Sequence, residues 1–297
     1  MNIIEYVDSQ YSLVQKLHSD RAVGSYYASS ASVELKNLWG EPYIEGTCLR
    51  AQYYRLTTSP IDNFQIRNTR TMDYGDAIHE HEIARMAAAR ILVASEFPIV
   101  VREHNISGRG DALIINPFSK STPTELMGAE IKTVGGNWGV ITGGRGSLPK
   151  PKPGHLLQTA IYLDWGRKKH GIRAWKLLYF SRIDGKSAEY TVTLTDKGEI
   201  SVDGELTNIF VDKIYERFRQ LTRYLNSSEL PPRDYDLVYD KTKLLKMTER
   251  QQLTKKEIAM VNSDKPIFKG DWNCKYCDYK TLCYPDIEGE SNVETDW

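Results

Sequence analysis

At 297 residues, with 40% hydrophobic residues, the chain can bury a sizeable core in one large domain or two. Its 39 basic and 39 acidic residues cancel, so total charge argues neither for nor against a nucleic-acid partner, because a basic groove can be offset by acid elsewhere. No apolar stretch approaches membrane-spanning length, and Met1-Asn2-Ile3-Ile4-Glu5 lacks the basic start and apolar core of a secretion signal. The expectation is a cytoplasmic protein with no membrane partner. In that reducing setting the four cysteines are not expected to form structural disulfides.

Residues 2 to 40 carry helical periodicity (Val7, Tyr11, Val14, Leu17, then Val33, Leu35, Leu38, Trp39), broken around Gly24 and Ser29-Ser30. Cys48 to Arg55 reads as a short helix that sets aromatic residues and arginines beside a cysteine. A second helix is expected from about Tyr74 to Ser95, with small residues at Ala84, Ala87, Ala88 and Ala89 permitting close packing. His79 lies within it. Ile99 to His104 reads as a strand and Asn105 to Gly108 as a turn.

Two apolar runs of strand length follow, Gly110 to Ile115 and Gly128 to Thr133, separated by the loop signal Asn116-Pro117-Phe118-Ser119-Lys120. Val134 to Gly154 is rich in Gly and Pro, and too long for a plain connection, which suits a lid. Helix signals resume from His155 to about Lys169. A strand from Ala174 to Ile183 and a partner from Ser187 to Leu194 come next, then a helix over about Leu206 to Leu225 that stops before Pro231-Pro232. From Asp240 to Lys269 the chain is lysine-rich and partly helical. Asp286 to Trp297 forms an acidic tail. A helical crossover between the third and fourth strands predicts that those two are parallel, hence a mixed sheet covered by helices.

The chemistry gathers on the two runs. Asp111 stands at the start of the first, just before its apolar residues, and Glu130 and Lys132 alternate with Ile131, so period two puts the acid and the base on one strand face. Two acids from neighbouring strands can hold a hard cation such as Mg²⁺ or Mn²⁺, and a lysine beside it can orient or deprotonate water. That is phosphodiester hydrolysis chemistry. Against it stands a plain hairpin with solvated edge charges. His79 could add nitrogen to the same cation, with His81 and His104 as competitors. Desolvation and a neighbouring cation would lower the Lys132 pKa, and Glu130 would pull it the other way. Gln158 and Tyr162 lie one turn apart on one helix face, where an amide and a phenol can bond a phosphate, a base or the lysine.

Cys274-Lys275-Tyr276-Cys277 followed by Cys283 makes a compact triple, and Cys48 is the remaining candidate for a fourth ligand. Four thiolates suit zinc or a [4Fe–4S] cluster, and ligand count does not choose between them.

Taken in order, His79, Gly110-Asp111, Glu130-Ile131-Lys132 and Gln158-Thr159-Ala160-Ile161-Tyr162 resemble the motifs of the RecB-type branch of the PD-(D/E)XK nucleases, over residues about 48 to 283. The cysteine spacing, with Cys48 followed by Arg50 and Tyr53-Tyr54, resembles the iron–sulfur subset of that branch, which includes the CRISPR-associated exonuclease. The resemblance implies an α/β restriction-endonuclease-like core: a mixed central sheet flanked by helices, with a helical Cys-rich iron–sulfur subdomain formed by the two ends of the chain. The implied division is 1–70, an N-terminal helical segment contributing Cys48; 71–200, the nuclease core; 201–285, the helical and iron–sulfur region; and 286–297, the tail. It further implies that His79, Asp111, Glu130 and the Ile131 carbonyl bind Mg²⁺ or Mn²⁺. Lys132 would activate water or stabilise the phosphorane, Gln158 and Tyr162 would shape the site and touch DNA, and the four cysteines would hold [4Fe–4S] as a staple of the fold.

One departure is plain. In that subset the Pro-Pro stretch is followed soon by the cysteine triple, whereas here Asp234 to Asp271 intervenes. Its basic residues (Lys241, Lys243, Lys246, Arg250, Lys255, Lys256, Lys265, Lys269) read either as a phosphate-tracking surface or as a solvated helix face. Arg50 and Tyr54, with Trp138, Arg145, Lys150 and Lys152 from the loop, are the expected DNA contacts, combining stacking with positive charge as single strands require. The expectation is therefore a DNase for single strands or DNA ends, exonucleolytic and 5′ to 3′ by resemblance. The competing expectation is a DNA-binding subunit of a recombination, repair or CRISPR adaptation complex. Either is compatible with a homo-oligomer. No Gly-x-x-x-x-Gly-Lys-Ser/Thr occurs, so any motor would be another chain.

Overall fold

The computed structural model of the protein describes residues 25–58, 66–119, 125–136, 138–143, 150–263, 265, 267 and 269–285. In chain order come β1 (Tyr26–Tyr27), β2 (Ser32–Lys36), β3 (Pro42–Gly46), α1 (Leu49–Thr57), α2 (Ile66–Ala88), β4 (Leu92–Val101), β5 (Ile106–Ile115) and β6 (Leu126–Val134). Then follow α3 (Trp138–Thr142), α4 (Pro153–His170), β7 (Ala174–Ser181), β8 (Ser187–Leu194), β9 (Glu199–Val202), β10 (Glu205–Phe210) and α5 (Val211–Ser227). The short helices α6 (Lys241–Glu249), α7 (Lys255–Asn262), α8 (Trp272–Lys275) and α9 (Lys280–Cys283) close the chain.

The chain divides into two compact units, each drawn from separated stretches: Met1–Gly46 with Phe64–Arg223, and Thr47–Asn63 with Tyr224–Trp297. The division that the resemblance implies is instead contiguous, with boundaries at 70, 200 and 285.

The first unit is a mixed sheet in the order β1-β5-β6-β7-β8-β9-β10, with β4 also paired to β5. As the crossover rule predicts, β6 and β7 are parallel with α4 between them in sequence. The β5–β6 pairing runs from Ile115↔Leu126 to Ala112↔Ala129 and stops there. Beyond that point β6 keeps β7 as its neighbour through Val134, while the far end of β5 pairs with β1 at Tyr26↔Ile106. The sheet is thus split between β5 and β6 just past the first apolar pairs.

Helices cover both faces. On one, Ile83 and Met86 of α2 pack with Ala112, Ile114, Met127 and Ala129. On the other, α4 lies against Trp175 and Tyr179, and its residues Leu156 to Asp164 are buried. A helix buried on all sides has no polar stripe, which is why its sequence shows little amphipathic pattern. It begins at Pro153, whose missing N–H costs nothing at the first position, and ends at Gly171 (φ 66°).

Several elements differ from expectation. Val33 and Leu35 lie in a hairpin of β2 and β3, not a helix: they alternate with Ser32, Glu34 and Lys36, and Asn37 Oδ1 accepts from the amides of Trp39 and Glu41 to close the turn. The expected helix through Val7, Tyr11, Val14 and Leu17 lies outside the described residues, as does the acidic tail. Helix α2 stops at Ala88 rather than Ser95 because Arg90 adopts a left-handed conformation (φ 62°) and the Ile91 amide returns to Met86 O. Leu206 belongs to strand β10, and the expected helix begins only at Val211. The strand over Ile99 to His104 ends at Val101 in a 3₁₀ turn.

In the second unit, residues 236 to 271 form a helical excursion with its own small core of Leu244, Leu253 and Val261. A capping box, Thr254 with Glu257, starts α7. Its base is clasped by two backbone bonds, Asp271 N to Asp236 O and Tyr239 N to Lys269 O. Lys243 pairs with Asp236 and Lys269 with Glu257. Lys255 and Lys256 are exposed.

Close packing of α4 on the sheet depends on glycine at 108 in β5. A Cβ there would stand 2.6 Å from Tyr162 Oη and Cε1. Gly108→Ala is expected to destabilise the protein by about 1–3 kcal/mol through overpacking, read from urea unfolding. Gly154→Ala, where no described residue lies within 4 Å of the added Cβ, should be neutral or slightly stabilising.

Candidate active site and cysteine pocket

At the split between β5 and β6 the edge groups of Ile131 have no strand to pair with, and both are satisfied by side chains. Asp111 Oδ2 accepts from the Ile131 amide at 2.7 Å, and His79 Nε2, reaching in from α2, sits 2.9 Å from the Ile131 carbonyl oxygen. His79 Nε2 is also 3.2 Å from Asp111 Oδ2. Neighbouring ligands of an octahedral cation bound at about 2.1 Å are themselves about 3 Å apart, and the separations of His79 Nε2 from Asp111 Oδ2 and from the Ile131 carbonyl oxygen are both of that size. Asp111 holds the His79 pKa up despite the opposing effect of burial.

Glu130 and Lys132 share the face of β6 turned to α4, as period two requires. Lys132 Nζ donates to Glu130 Oε1 at 2.6 Å. Glu130 is 1% exposed, and its second oxygen, Oε2, is buried with no hydrogen-bond partner among the described residues. Burial raises its pKa and the Asp111 charge adds to that, with Lys132 pulling it back. An orphaned carboxylate oxygen beside a second carboxylate is costly unless a cation offsets it, and that donor set fits a hard divalent ion. Two of the expected three side chains meet at one point, while Glu130 is turned to Lys132. Among the described residues no group of three or more His, Cys, Asp or Glu side chains is already arranged to hold a metal ion.

The Lys132 pKa is raised, not lowered. Desolvation pulls it down, but the Glu130 and Asp111 carboxylates outweigh it. On α4, Gln158 Nε2 donates to Tyr162 Oη at 3.0 Å, and Tyr162 Oη also accepts from the Arg109 amide at 3.3 Å. The pair therefore ties the buried helix to the strand carrying Asp111. Of the expected competitors, His104 stacks on Tyr215 at 4.1 Å, away from this cluster. Trp138 begins α3 and is half-buried; Lys150 and Lys152 are exposed before α4; Arg145 lies outside the described residues.

In the second unit Cys48, Cys274, Cys277 and Cys283 line one pocket with Arg50, Tyr54, Arg233, Tyr279 and Lys280. Burial first, then the neighbouring thiolates, push the Cys274 thiol up to about 12, a mutual repulsion that a bound cationic centre would relieve. Arg50 Nη1 donates towards Cys283 Sγ at 3.9 Å, the kind of contact that tunes sulfur ligands. The donor set fits zinc or an iron–sulfur cluster. Arg50 also donates to Pro231 O at 2.6 Å, and Tyr54 is buried against Tyr279 with its hydroxyl on Leu282 O. Of the six expected DNA contacts, Arg50 and Tyr54 are thus part of the pocket wall. Sequence reading missed Asp234, whose carboxylate caps the first amide of α1, Leu49, at 2.6 Å; the Pro-Pro-Arg-Asp turn signal offered no register to α1.

A second unforeseen member is His155, close enough to Lys132 and Lys152 to feel both charges. Tyr179 Oη accepts from the Lys152 amide, leaving its proton for His155 Nδ1, 3.0 Å away. Burial, then those two lysines, depress the His155 pKa to about 3. Between pH 6.5 and about 3 the unfolded chain binds a proton that the folded one refuses, so this group's effect is lost stability as pH falls through that window. His155→Gln is expected to flatten the acid limb of a Tm-against-pH curve relative to the unmodified protein, and parallel curves would refute the assignment.

No protein-family model and no curated protein matches the chain. Among solved structures it is similar to SSO0001, at 17% identity and a TM-score of 0.46, covering 95% of this chain and 96% of that one. It is also similar to an alkaline exonuclease, LHK-Exo, from Laribacter hongkongensis, at 16% identity and a TM-score of 0.41, covering 78% of this chain and 96% of that one. Likeness at this level assigns neither family nor activity.

Proposed function

We propose that the chain is a divalent-metal-dependent DNA nuclease whose second unit carries a structural [4Fe–4S] cluster. The observation that carries the nuclease reading is the buried Glu130 Oε2, without a partner among the described residues and next to Asp111, with His79 Nε2 and the Ile131 carbonyl by Asp111 and Lys132 alongside. A binding module has no use for such an arrangement, whose desolvation is unfavourable without a cation.

His79, Asp111, Glu130 and the Ile131 carbonyl would hold Mg²⁺ or Mn²⁺. When bound there, the ion polarises a phosphate oxygen and acidifies water near neutral pH. Lys132, kept charged by its two carboxylate neighbours, stabilises the negative charge that builds on the phosphate in the transition state. Gln158 and Tyr162 hold α4 against β5 so that Asp111 keeps its bond to the Ile131 amide. Single strands or DNA ends are the substrate of this reading, with 5′ to 3′ exonuclease action as its finer form. The four cysteines would take the cluster, closing a loop from Cys48 to Cys274, so that its contribution is to folding.

End-labelled single-stranded DNA with Mn²⁺ tests the first part: cleavage is expected from the unmodified protein and a loss of at least about 100-fold, a few kcal/mol of transition-state stabilisation, from Asp111→Ala or Lys132→Ala. Absence of cleavage by the unmodified protein, with DNA binding intact, would leave a DNA-binding subunit instead. For the cysteines, anaerobically purified protein is expected to be brown with about four irons per chain. Cys283→Ser should bleach it and lower the Tm; a colourless protein containing one zinc would overturn the cluster.

A further inference from the structure

Helix α2 runs along the edge of β6 that β5 has left, and three contacts mark its path. His79 meets the Ile131 carbonyl, Gly75 faces Thr133, whose Oγ1 would stand 3.3 Å from an added Cβ, and Thr71 O accepts from Arg182 Nη1 at 2.8 Å. Four residues of helix rise about 6 Å and two residues of strand about 6.6 Å, so the contacts stay in step. Arg182 follows β7 directly, its amide bonded to Val134 O, and its guanidinium lies against Gly135, where a Cβ would be 2.8 Å from Nη2.

Arg182 is half-buried, and no carboxylate pairs with it among the described residues. One carbonyl uses one of its five N–H donors. Partly desolvated guanidinium groups ordinarily gain an anion, and a planar fork suits phosphate. Next to it the Gly135-Gly136 turn is exposed, and among the described residues nothing lies within 4 Å of a Cβ built on Gly136 (φ 68°). Gly135 is three residues past Lys132, about 10 Å along the strand, which is the reach of a neighbouring phosphate on the same strand and not of the reacting one.

We propose that Arg182, held between Thr71 and Gly135, grips a backbone phosphate of the DNA strand adjacent to the scissile one, with the Gly135-Gly136 turn giving that strand its clearance. This subsite rests on the nuclease reading, since it presumes a phosphodiester chain at Lys132. It fixes the register of the strand without reading sequence.

The test is binding of a fluorescein-labelled single-stranded oligonucleotide, followed by anisotropy, with Ca²⁺ in place of Mg²⁺ or Mn²⁺ so that a hard cation fills the site, and with single phosphates replaced in turn by neutral methylphosphonates. The unmodified protein is expected to lose several-fold affinity at one replaced position. Arg182→Ala should bind about tenfold more weakly, be indifferent to that replacement, and show a log K against log salt slope shallower by about 0.7. Gly135→Ala, which keeps the charge but displaces the guanidinium, should lose sensitivity at the same position, and thermal melts identify any variant that fails to fold. A purely structural tie to α2 would weaken binding without abolishing one position's sensitivity. Arg182→Ala with unchanged affinity and slope, or with the same sensitivity as the unmodified protein, overturns the subsite alone. No DNA binding by the unmodified protein overturns the nuclease reading as well.

Discussion

The hydrogen bond from the Ile131 amide to Asp111 Oδ2 is the contact on which the site depends. It replaces, at the point where β5 parts from β6, the strand pairing that ends at Ala112↔Ala129. Once the strands part, the Ile131 carbonyl is also released, and His79 can reach it from the opposite face of the sheet. A continuous ladder would consume both groups and shut α2 out. The candidate centre is therefore a consequence of a local failure of pairing, stabilised by one carboxylate doing the work of a strand.

Around that split the face towards α4 is organised by aromatic side chains standing over glycine. Tyr162 covers Gly108, Phe97 covers Gly110 and Trp175 covers Gly128, each so near that a methyl group would collide. These contacts bring a helix buried from Leu156 to Asp164 down onto strands that also carry charged groups. They explain how Glu130 comes to be 1% exposed while its neighbour Lys132 keeps a path to solvent. Burial of the acid and partial exposure of the base are two results of one packing arrangement.

Much of this was legible in the sequence because it is periodic. Alternation placed Glu130 and Lys132 on one face, helical spacing joined Gln158 to Tyr162, and the apolar runs gave the β5–β6 pair and the parallel crossover to β7. What escaped was non-local or two-sided. Val33 and Leu35 fit both periods over so short a stretch, and only the Asn37 turn decides for strands. Arg90 and Asn208, with φ of 62° and 59°, end or bend elements with no glycine to announce it. Tyr54 reads as a DNA contact in the sequence because nothing local reveals that Tyr279, more than two hundred residues away, will cover it. Asp234 and His155 owe their roles wholly to partners distant in the chain.

The excursion between Asp236 and Asp271 leaves and returns through a clasp of backbone bonds, with Gly270 set so close to Leu237 that any side chain there would strike its carbonyl. Its apolar residues pack on one another. Such a segment behaves as a graft: the chain enters and exits at one spot, so length and sequence beyond the clasp can drift while the flanking path is kept. The thiol-bearing helices that come after it are shielded from that drift, and a protein of this architecture can acquire new surface there without rebuilding what lies on either side.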